Sequence, residues 1–134
     1  MVKDGVLRGY FLGSYSARKL GMKTTGSAGG NHNLILEGGK LDLPGLIRTM
    51  GRGLLVTELI GYGVNLVTGD YSRGAAGFWV ERGKIVHPVH EVTLAGNLAE
   101  MFQRIQAVGS DVDARGTVRC GAVLVDALTL AGGG

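Results

Sequence analysis

A polar stretch from Thr68 to Val80 contains the side chains best suited to binding chemistry. Asp70 supplies a carboxylate acceptor, Tyr71 a ring that can stack and Arg73 a forked cation, and Trp79 is the single tryptophan. Glycines within the stretch give the backbone conformational freedom. The composition predicts a polar loop that leads into a buried strand, where binding residues commonly lie. The alternative is a surface turn in which Asp70 and Arg73 pair with each other.

Candidate metal ligands and nucleophiles are few. His87 and His90 flank Pro88, and on an extended strand a spacing of three places two side chains on opposite faces, which argues against a shared metal site. Cys120 is the single cysteine; it cannot form an internal disulfide, and alone it predicts a small buried apolar residue. The sequence has no Walker loop and no nucleophile elbow. These residues form no complete active site.

Short elements must position these side chains. Helices are predicted over Tyr15–Leu20 with Ser14 as its cap, from Asp42 to Met50 before Gly51, and from Asn97 to Val108, with Glu100 completing a capping box and Met101 and Phe102 in its core stripe. Strands are predicted at Val6–Leu12, Leu34–Leu36, Leu54–Ile60 (mostly buried), Val64–Thr68, Phe78–Glu81, Lys84–His87, Val92–Leu94, Thr117–Val125 and Leu128–Leu130. Arg82-Gly83 predicts a hairpin turn. The order predicts an α+β fold with a Gly-rich antiparallel or mixed β-sheet, one longer helix and two short ones.

Composition narrows the class of protein. The chain has 134 residues, of which 45% are hydrophobic and 19% charged, and this predicts one globular domain over residues 1–131 followed by a disordered tail at 132–134. No apolar run approaches the roughly 20 residues of a membrane helix, and no signal peptide is visible, so a cytoplasmic location is expected. The net charge of +3 comes from scattered residues, which argues against direct nucleic-acid binding.

A longer pattern resembles a known family. The run VTGDYSRGAAGFWVERGKI from Val67, followed by His87-Pro-Val and by TLAGNLAEM from Thr93, resembles the C-terminal region of the TldD/PmbA family, in particular its PmbA (TldE) type. The segments GYFLGSYSARKLGMKTTGSAGG from Gly9, LVTELIGYGVN from Leu55 and RCGAVL from Arg119 resemble the same region. The resemblance covers nearly the whole chain.

The resemblance implies a cytoplasmic bacterial or archaeal zinc metallopeptidase system that acts on unfolded peptides, in which a catalytic TldD-type subunit pairs with a PmbA-type subunit. An older name for the family is modulator of DNA gyrase. Members are roughly three times this length on domain-size grounds, so the chain is expected to be a C-terminal fragment or a stand-alone C-terminal domain. The family's His-Glu-x-x-x-His helix has no match in this sequence. Cys120-Gly121 matches a cysteine that resembles the third zinc ligand of TldD-type subunits.

The leading hypothesis is a non-catalytic subunit domain that binds a TldD-type subunit, or forms a homodimer, and helps to enclose an extended peptide. This hypothesis assigns no catalytic residue to the chain and places zinc in the catalytic subunit. The alternative is a peptidase subunit whose zinc is held by upstream histidines together with Cys120, and a weaker alternative is a regulatory module of DNA gyrase. Candidate substrate or interface contacts are Arg18, Asp70, Tyr71, Arg73 and Trp79.

Overall fold

The computed structural model describes residues 1–28 and 30–132. Its helices are α1 (Ser14–Lys19), α2 (Leu43–Met50) and α3 (Leu98–Gln103). Its strands are β1 (Val2–Lys3), β2 (Val6–Leu7), β3 (Leu34–Ile35), β4 (Gly53–Ile60), β5 (Asp70–Glu81), β6 (Lys84–Asn97), β7 (Ile105–Val108), β8 (Val118–Arg119), β9 (Val123–Val125) and β10 (Thr129–Gly132). This mixture of short helices and mainly antiparallel sheets confirms the predicted α+β class.

The chain divides into two compact units. The first comprises Met1–Ile35 and Ala114–Arg119, and the second comprises Leu36–Asp113 and the residues from Cys120 onward. The single domain over residues 1–131 stays a prediction. Of the predicted tail, Gly132 lies in β10, and residues 133–134 fall outside the described residues.

In the first unit, the backbone of Leu12 is hydrogen-bonded to Thr25. The Leu12 N–H donates to the Thr25 hydroxyl at 2.8 Å, and its carbonyl accepts from the Thr25 N–H at 3.0 Å. The predicted strand from Val6 therefore ends at Leu7, because Leu12 bonds to this threonine instead of to a strand partner. The cap of α1 is Gly13 and not Ser14, and no side chain caps this helix.

A four-stranded antiparallel sheet in the order β10-β6-β5-β4 organises the second unit. Its central strand β5 pairs along its length with β6 and with β4. The buried core on one face consists of Ala75, Val92 and Leu94, against which Leu54 and Tyr71 pack. The separately predicted strands at Lys84–His87 and Val92–Leu94 are parts of one strand, β6, which continues through Pro88.

Bulges on both neighbours of β5 meet at one point. In β4, Thr57 is an extra residue without a partner in β5. In β6, His90 and Glu91 both lie opposite the single residue Ala76 of β5. Glu91 adopts a φ of +53°, a left-handed conformation that is uncommon for a residue other than glycine. Next to the bulges lies Gly77, where an added Cβ would clash with the Leu55 carbonyl oxygen. The sheet therefore requires a residue without a side chain at this position.

The loop predicted between Thr68 and the strand at Phe78–Glu81 is wrong for most of its length, because that strand begins at Asp70, as β5. Its glycines and small residues lie in a strand between two bulged neighbours, where they allow the backbones to approach closely. The local composition does not reveal these neighbours. The preceding strand predicted at Val64–Thr68 is instead a loop, in which Val64 makes an isolated bridge to Tyr71. The strand predicted at Leu54–Ile60 is present as β4, but it is half-exposed because it lies at the sheet edge.

The longest predicted helix is also shorter than expected. Asn97 caps α3 by accepting a hydrogen bond from the Ala99 N–H at 3.0 Å, as predicted, but the helix ends at Gln103. The residues from Ile105 to Val108 form β7, which pairs with β9, so tertiary pairing overrides the helical periodicity. Phe102 is 69% exposed, so its predicted core role is wrong, whereas Met101 is half-buried.

Two local predictions are confirmed. Asp42 caps α2 by accepting from the Gly45 N–H at 2.8 Å, and Gly51 ends the helix with a φ of +69°. At the β5–β6 hairpin, Arg82 and Gly83 both have positive φ, as a two-residue type I′ turn requires. Among the described residues, no helix has the length and apolar character needed to span a membrane.

The close packing of β5 against β4 gives a stability prediction. Substitution Gly77→Ala should lower the free energy of unfolding by about 2–4 kcal/mol, because the new methyl group overlaps the Leu55 carbonyl and the adjacent strand must shift. Chemical denaturation measures the change. Gly9→Ala is the control, since its Cβ meets only the Met1 sulfur at 3.7 Å, and it should change stability by less than about 1 kcal/mol. Equal effects of the two substitutions would contradict the packing argument.

Candidate functional site

An apolar groove of about 400 Å³ lies over the core face of the sheet, in the second unit. Three parts of the chain form its walls: helix α2, the first half of β4 and the segment 122–128 that contains β9. Its apolar lining includes Leu46, Met50, Leu54, Leu94 and Leu130. We call this cavity the α2 groove. Concave, mainly apolar cavities with a few polar groups at the rim are the usual form of a ligand site.

Trp79 is the aromatic residue of the α2 groove, because its position opposite Leu54 places it on the lined face. The guanidinium carbon of Arg52 lies 5.7 Å from the centre of the indole ring, a cation–π distance. The indole Nε1–H donates to the Glu81 carboxylate at 3.2 Å. Trp79 and Glu81 therefore lie on the same face of β5. The contacts hold a half-buried aromatic ring in a fixed orientation beside the groove.

The outer side of β4 borders this region. Within the described residues β4 is the last strand of its sheet, so the backbone groups that point away from β5 have no strand partner. The strand is eight residues long and carries one charged residue, Glu58. It contains no lysine or proline, but the Thr57 bulge and the Glu58 charge, two features that hinder edge pairing, lie in its second half. The regular stretch before the bulge, residues 53–56, is therefore the part of the edge to which an extended chain can add.

Arg73 lies near the far end of β4. One of its terminal nitrogens donates to the Leu59 carbonyl oxygen at 3.2 Å, while its Nε is buried without a hydrogen-bond partner. Arg73 and Trp79 are thus both next to the edge strand, Arg73 at its end and Trp79 near its start. The structure brings these two predicted site residues to the same strand.

Asp70 and Tyr71 have other partners. The Asp70 carboxylate accepts from the Thr68 hydroxyl at 2.7 Å, and Tyr71 packs against the core of the sheet. The suggested surface pair between Asp70 and Arg73 is wrong, because positions of opposite parity on β5 point to opposite faces. Arg18 is exposed on α1, in the first unit.

The possible metal ligands do not form a cluster. His87 and His90 are both exposed on β6, and Cys120 is half-buried in the segment between β8 and β9, not in the strand predicted for it. Its thiol contacts the Gly121 carbonyl oxygen at 3.1 Å. Across residues 1–28 and 30–132, no group of three or more His, Cys, Asp or Glu residues is arranged to hold a metal ion. Since zinc takes three or four protein ligands, the donors described here do not fit a zinc site by themselves.

Sequence reasoning missed most of the α2 groove. The apolar stripe of α2 was visible in the sequence at Leu46, Ile47 and Met50, but the segment that faces it is more than seventy positions away along the chain, from Ala122 to Leu128. Periodicity identifies a buried face without identifying what lies across from it. The groove residues could therefore be recognised as core formers only.

Comparison with known proteins places the chain in one family. The family model of the PmbA/TldA metallopeptidase C-terminal domain matches residues 1–132. Metalloprotease PmbA of Escherichia coli O157:H7 is 53% identical over 132 residues, which cover 98% of this chain and 29% of the relative. A Metalloprotease PmbA homolog of Haemophilus influenzae is 49% identical over 136 residues, which cover 98% of this chain and 30% of that relative. A Metalloprotease TldD homolog of the same species is 28% identical over 119 residues, with 81% and 25% covered.

Solved structures agree. A Bacteroides thetaiotaomicron protein designated a modulator of DNA gyrase superimposes with a TM-score of 0.90 and 35% identity, over 98% of this chain and 30% of that chain. A Thermotoga maritima protein with the same designation superimposes with a TM-score of 0.86 and 34% identity. The match covers 97% of this chain and 32% of that chain. The chain thus spans about 30% of the length of the PmbA relatives it matches. The resemblance found in the sequence is confirmed, and the chain belongs to the TldD/PmbA metallopeptidase family, where it corresponds to the C-terminal domain of the PmbA type.

Proposed function

We propose that this chain is a non-catalytic domain of a TldD/PmbA-type zinc metallopeptidase complex, and that it binds unfolded peptide and contributes to assembly with a TldD-type subunit. The observation that carries the proposal is the α2 groove beside the open edge of β4. The two features together match what an unfolded peptide offers, namely a free backbone and apolar side chains. Folded proteins bury both.

The edge of β4 would supply the sequence-independent part of binding. The eight residues of β4 extend over roughly 26 Å, and the four before the Thr57 bulge form a regular edge that can pair with a short peptide segment. Main-chain hydrogen bonds to an added strand do not depend on the peptide's sequence. They require an extended backbone that is not already hydrogen-bonded, which favours unfolded over folded substrates.

The α2 groove would supply preference for apolar side chains. Full burial of a Leu or Phe side chain contributes about 1.5–3 kcal/mol, and a cavity of about 400 Å³ has room for more than one such group. At its rim, Trp79 offers a rigid aromatic surface oriented by Arg52 and Glu81. Arg73, at the other end of β4, has further guanidinium donors for peptide carbonyl groups.

Catalysis is assigned to the partner in this proposal. A metallopeptidase needs a zinc ion to activate water, and the donors described here do not fit one. The assignment is supported by the higher identity to the PmbA relatives, 53% and 49%, than to the TldD homolog, 28%. The domain's own residues would bind and orient the peptide, while the TldD-type subunit would supply the metal and the hydrolytic step.

A second candidate is a peptidase subunit in which Cys120 joins histidines from elsewhere in the protein. It is favoured by one observation, the half-buried position of the Cys120 thiol beside Gly121. Gly121 lies against Gly109 so closely that a Cβ would clash with the Gly109 carbonyl. This packing fixes the backbone that carries the thiol. Regulation of DNA gyrase has support only from the names of the structural relatives.

Peptide binding is tested first at Trp79. In the full-length protein, Trp79→Ala should weaken binding of a fluorescent, Leu- and Phe-containing unfolded peptide by about 10-fold or more in an anisotropy titration, because the groove loses its aromatic rim. Phe78→Ala is the matched control. Phe78 is the adjacent residue on the opposite face of β5, and it is 37% exposed. Equal effects of the two variants would remove the groove from the proposal.

Assembly is tested by co-expression of the full-length protein with a TldD-type subunit from the same organism. We expect a stable complex in a tagged pull-down, and peptidase activity toward an unfolded peptide that is higher for the complex than for this protein alone. A catalytically blocked TldD-type subunit, altered at its zinc-binding histidines, should assemble normally and give an inactive complex. Failure to co-purify in either direction would contradict the assembly part of the proposal.

The zinc alternative is decided by metal content. If the chain is non-catalytic, Cys120→Ala should leave the zinc content of the full-length protein unchanged, as measured by inductively coupled plasma mass spectrometry. Cys120→Ser is the control that preserves size and a polar atom. Zinc at one equivalent in the natural protein that disappears in both variants would instead establish the peptidase alternative.

A further inference from the structure

The two units of the chain carry opposite net charge. The first unit contains seven Lys and Arg residues and one Asp, which gives a net charge of +6 with His neutral. The second unit contains seven Lys and Arg residues and ten Asp and Glu residues, which gives −3. The modest net charge of the whole chain therefore conceals a strongly basic first unit. A charge asymmetry of this size indicates a partner of opposite charge.

The cations of the first unit are not neutralised by neighbouring acids. All seven Lys and Arg residues of the unit are exposed. Within residues 1–28 and 30–132, no ion pair involves Lys3, Arg8, Arg18, Lys23 or Arg119. Exposed cations without acidic partners keep a positive potential around the unit.

Two of these cations lie together on the β1–β2 hairpin. Lys3 pairs with Val6, and the Arg8 N–H donates to the Met1 carbonyl oxygen at 2.6 Å, which extends the hairpin by one pair. Residues opposite each other in an antiparallel pair share a face, as do residues two positions apart on one strand. Lys3 and Arg8 therefore lie on the same face of the hairpin.

Three more cations lie at the end of α1. Arg18 and Lys19 are in its last turn, and Lys23 follows closely, because the Met22 N–H bonds back to the Ala17 carbonyl oxygen at 2.8 Å. Basic residues in a last helical turn interact favourably with the helix dipole, and this accounts for Arg18 and Lys19. The effect falls off beyond the last turn, so the helix does not account for Lys23.

We propose that the first unit is a docking surface for an acidic stretch of an unfolded peptide. The inference rests on the proposed function and narrows its substrate to peptides that contain several Asp or Glu residues. A flexible peptide can place its carboxylates against cations on separate short elements, because it has no fixed charge spacing. Each exposed ion pair contributes little alone, so binding depends on several pairs formed together.

A nucleic acid is the other polyanion that such a surface could attract, and two observations argue against it. Helix α1 has six residues, which is short for a helix that reads a DNA groove. The most exposed aromatic ring of the unit, Tyr15, already has the Lys19 ammonium 5.6 Å from its centre, so one of its faces is not free to stack on a base. The peptide is therefore the occupant that fits better.

The test compares two fluorescent peptides that differ in charge alone, using the full-length protein. One peptide contains Glu, Leu and Phe, and the other has Gln in place of every Glu. We expect the acidic peptide to bind about 10-fold more tightly than the Gln peptide in about 50 mM salt, in an anisotropy titration. The difference should disappear in about 500 mM salt, because screening weakens interactions between exposed charges.

Variants locate the effect on the first unit. Arg18→Gln combined with Lys23→Gln should weaken binding of the acidic peptide by about 5-fold and leave binding of the Gln peptide unchanged. Lys3→Gln combined with Arg8→Gln tests the hairpin independently of α1 and should act in the same direction. The matched control is Arg82→Gln combined with Lys84→Gln, which removes the same charge from the exposed β5–β6 turn of the second unit. The control should change binding by less than about 2-fold.

The possible outcomes separate this inference from the proposed function. Equal affinity for the two peptides, or equal effects of the first-unit variants and the control, would overturn the acidic docking surface and leave peptide binding at the α2 groove intact. Tighter binding of a single-stranded DNA of the same charge than of the acidic peptide would assign the surface to nucleic acid and overturn the choice of a peptide. Failure of both peptides to bind would contradict the proposed function itself.

Discussion

The enclosure of β5 between two strands that are bulged at the same point is the constraint on which the second unit depends. Thr57 on one side and Glu91 on the other interrupt the ladders beside Ala76. Each bulge increases the local twist of the sheet, and the left-handed φ of Glu91 has a conformational cost that the surrounding pairing must offset. Gly77 makes the arrangement possible, because the Leu55 backbone occupies the space that a side chain would need.

That constraint also sets the chemistry that each face presents. Alternation along β5 directs Trp79 toward the α2 groove and Val80 to the opposite face, where it is fully buried. It continues although β6 has a further irregularity opposite these two residues. At the other end the same alternation separates Asp70 from Arg73. Side chains that are neighbours in sequence therefore serve different surfaces, and the strand, not the polar composition of the stretch, determines which of them can act together.

How well the sequence predicts an element depends on how far apart in the chain the residues that stabilise it lie. The cap at Asp42 and the turn at Arg82-Gly83 depend on residues a few positions apart, and both were predicted correctly. The segment from Asp70 was predicted as a loop because its glycines have the composition of one, while its strand conformation depends on two partners elsewhere in the chain. Ile105 to Val108 has helical periodicity, yet pairing with β9 takes these residues into a strand.

For the candidate site, the sequence indicated individual residues but not their grouping. Trp79 and Arg73 were recognised by residue type, and their common position beside β4 follows only from the register of the sheet. Leu66 and Val67 were predicted to lie in the strand Val64–Thr68, but they lie in a loop and are 85% and 94% exposed. The Asn65 side chain stabilises this loop locally by accepting from the Val67 and Thr68 N–H groups, and the Asn97 side chain adds a tertiary bond to the Thr68 carbonyl oxygen.

The α2 groove and the outer edge of β4 differ in form, and the difference bears on what each can bind. The groove is concave, so apolar side chains can insert into it and be surrounded. The edge offers backbone groups that have no strand partner in the described part of the chain, and hydrogen bonds to such groups do not depend on the sequence of the added strand. Trp79 lies on the groove, while Arg73 lies at the other end of β4. A substitution at Trp79 therefore changes the groove without removing a backbone group of the edge.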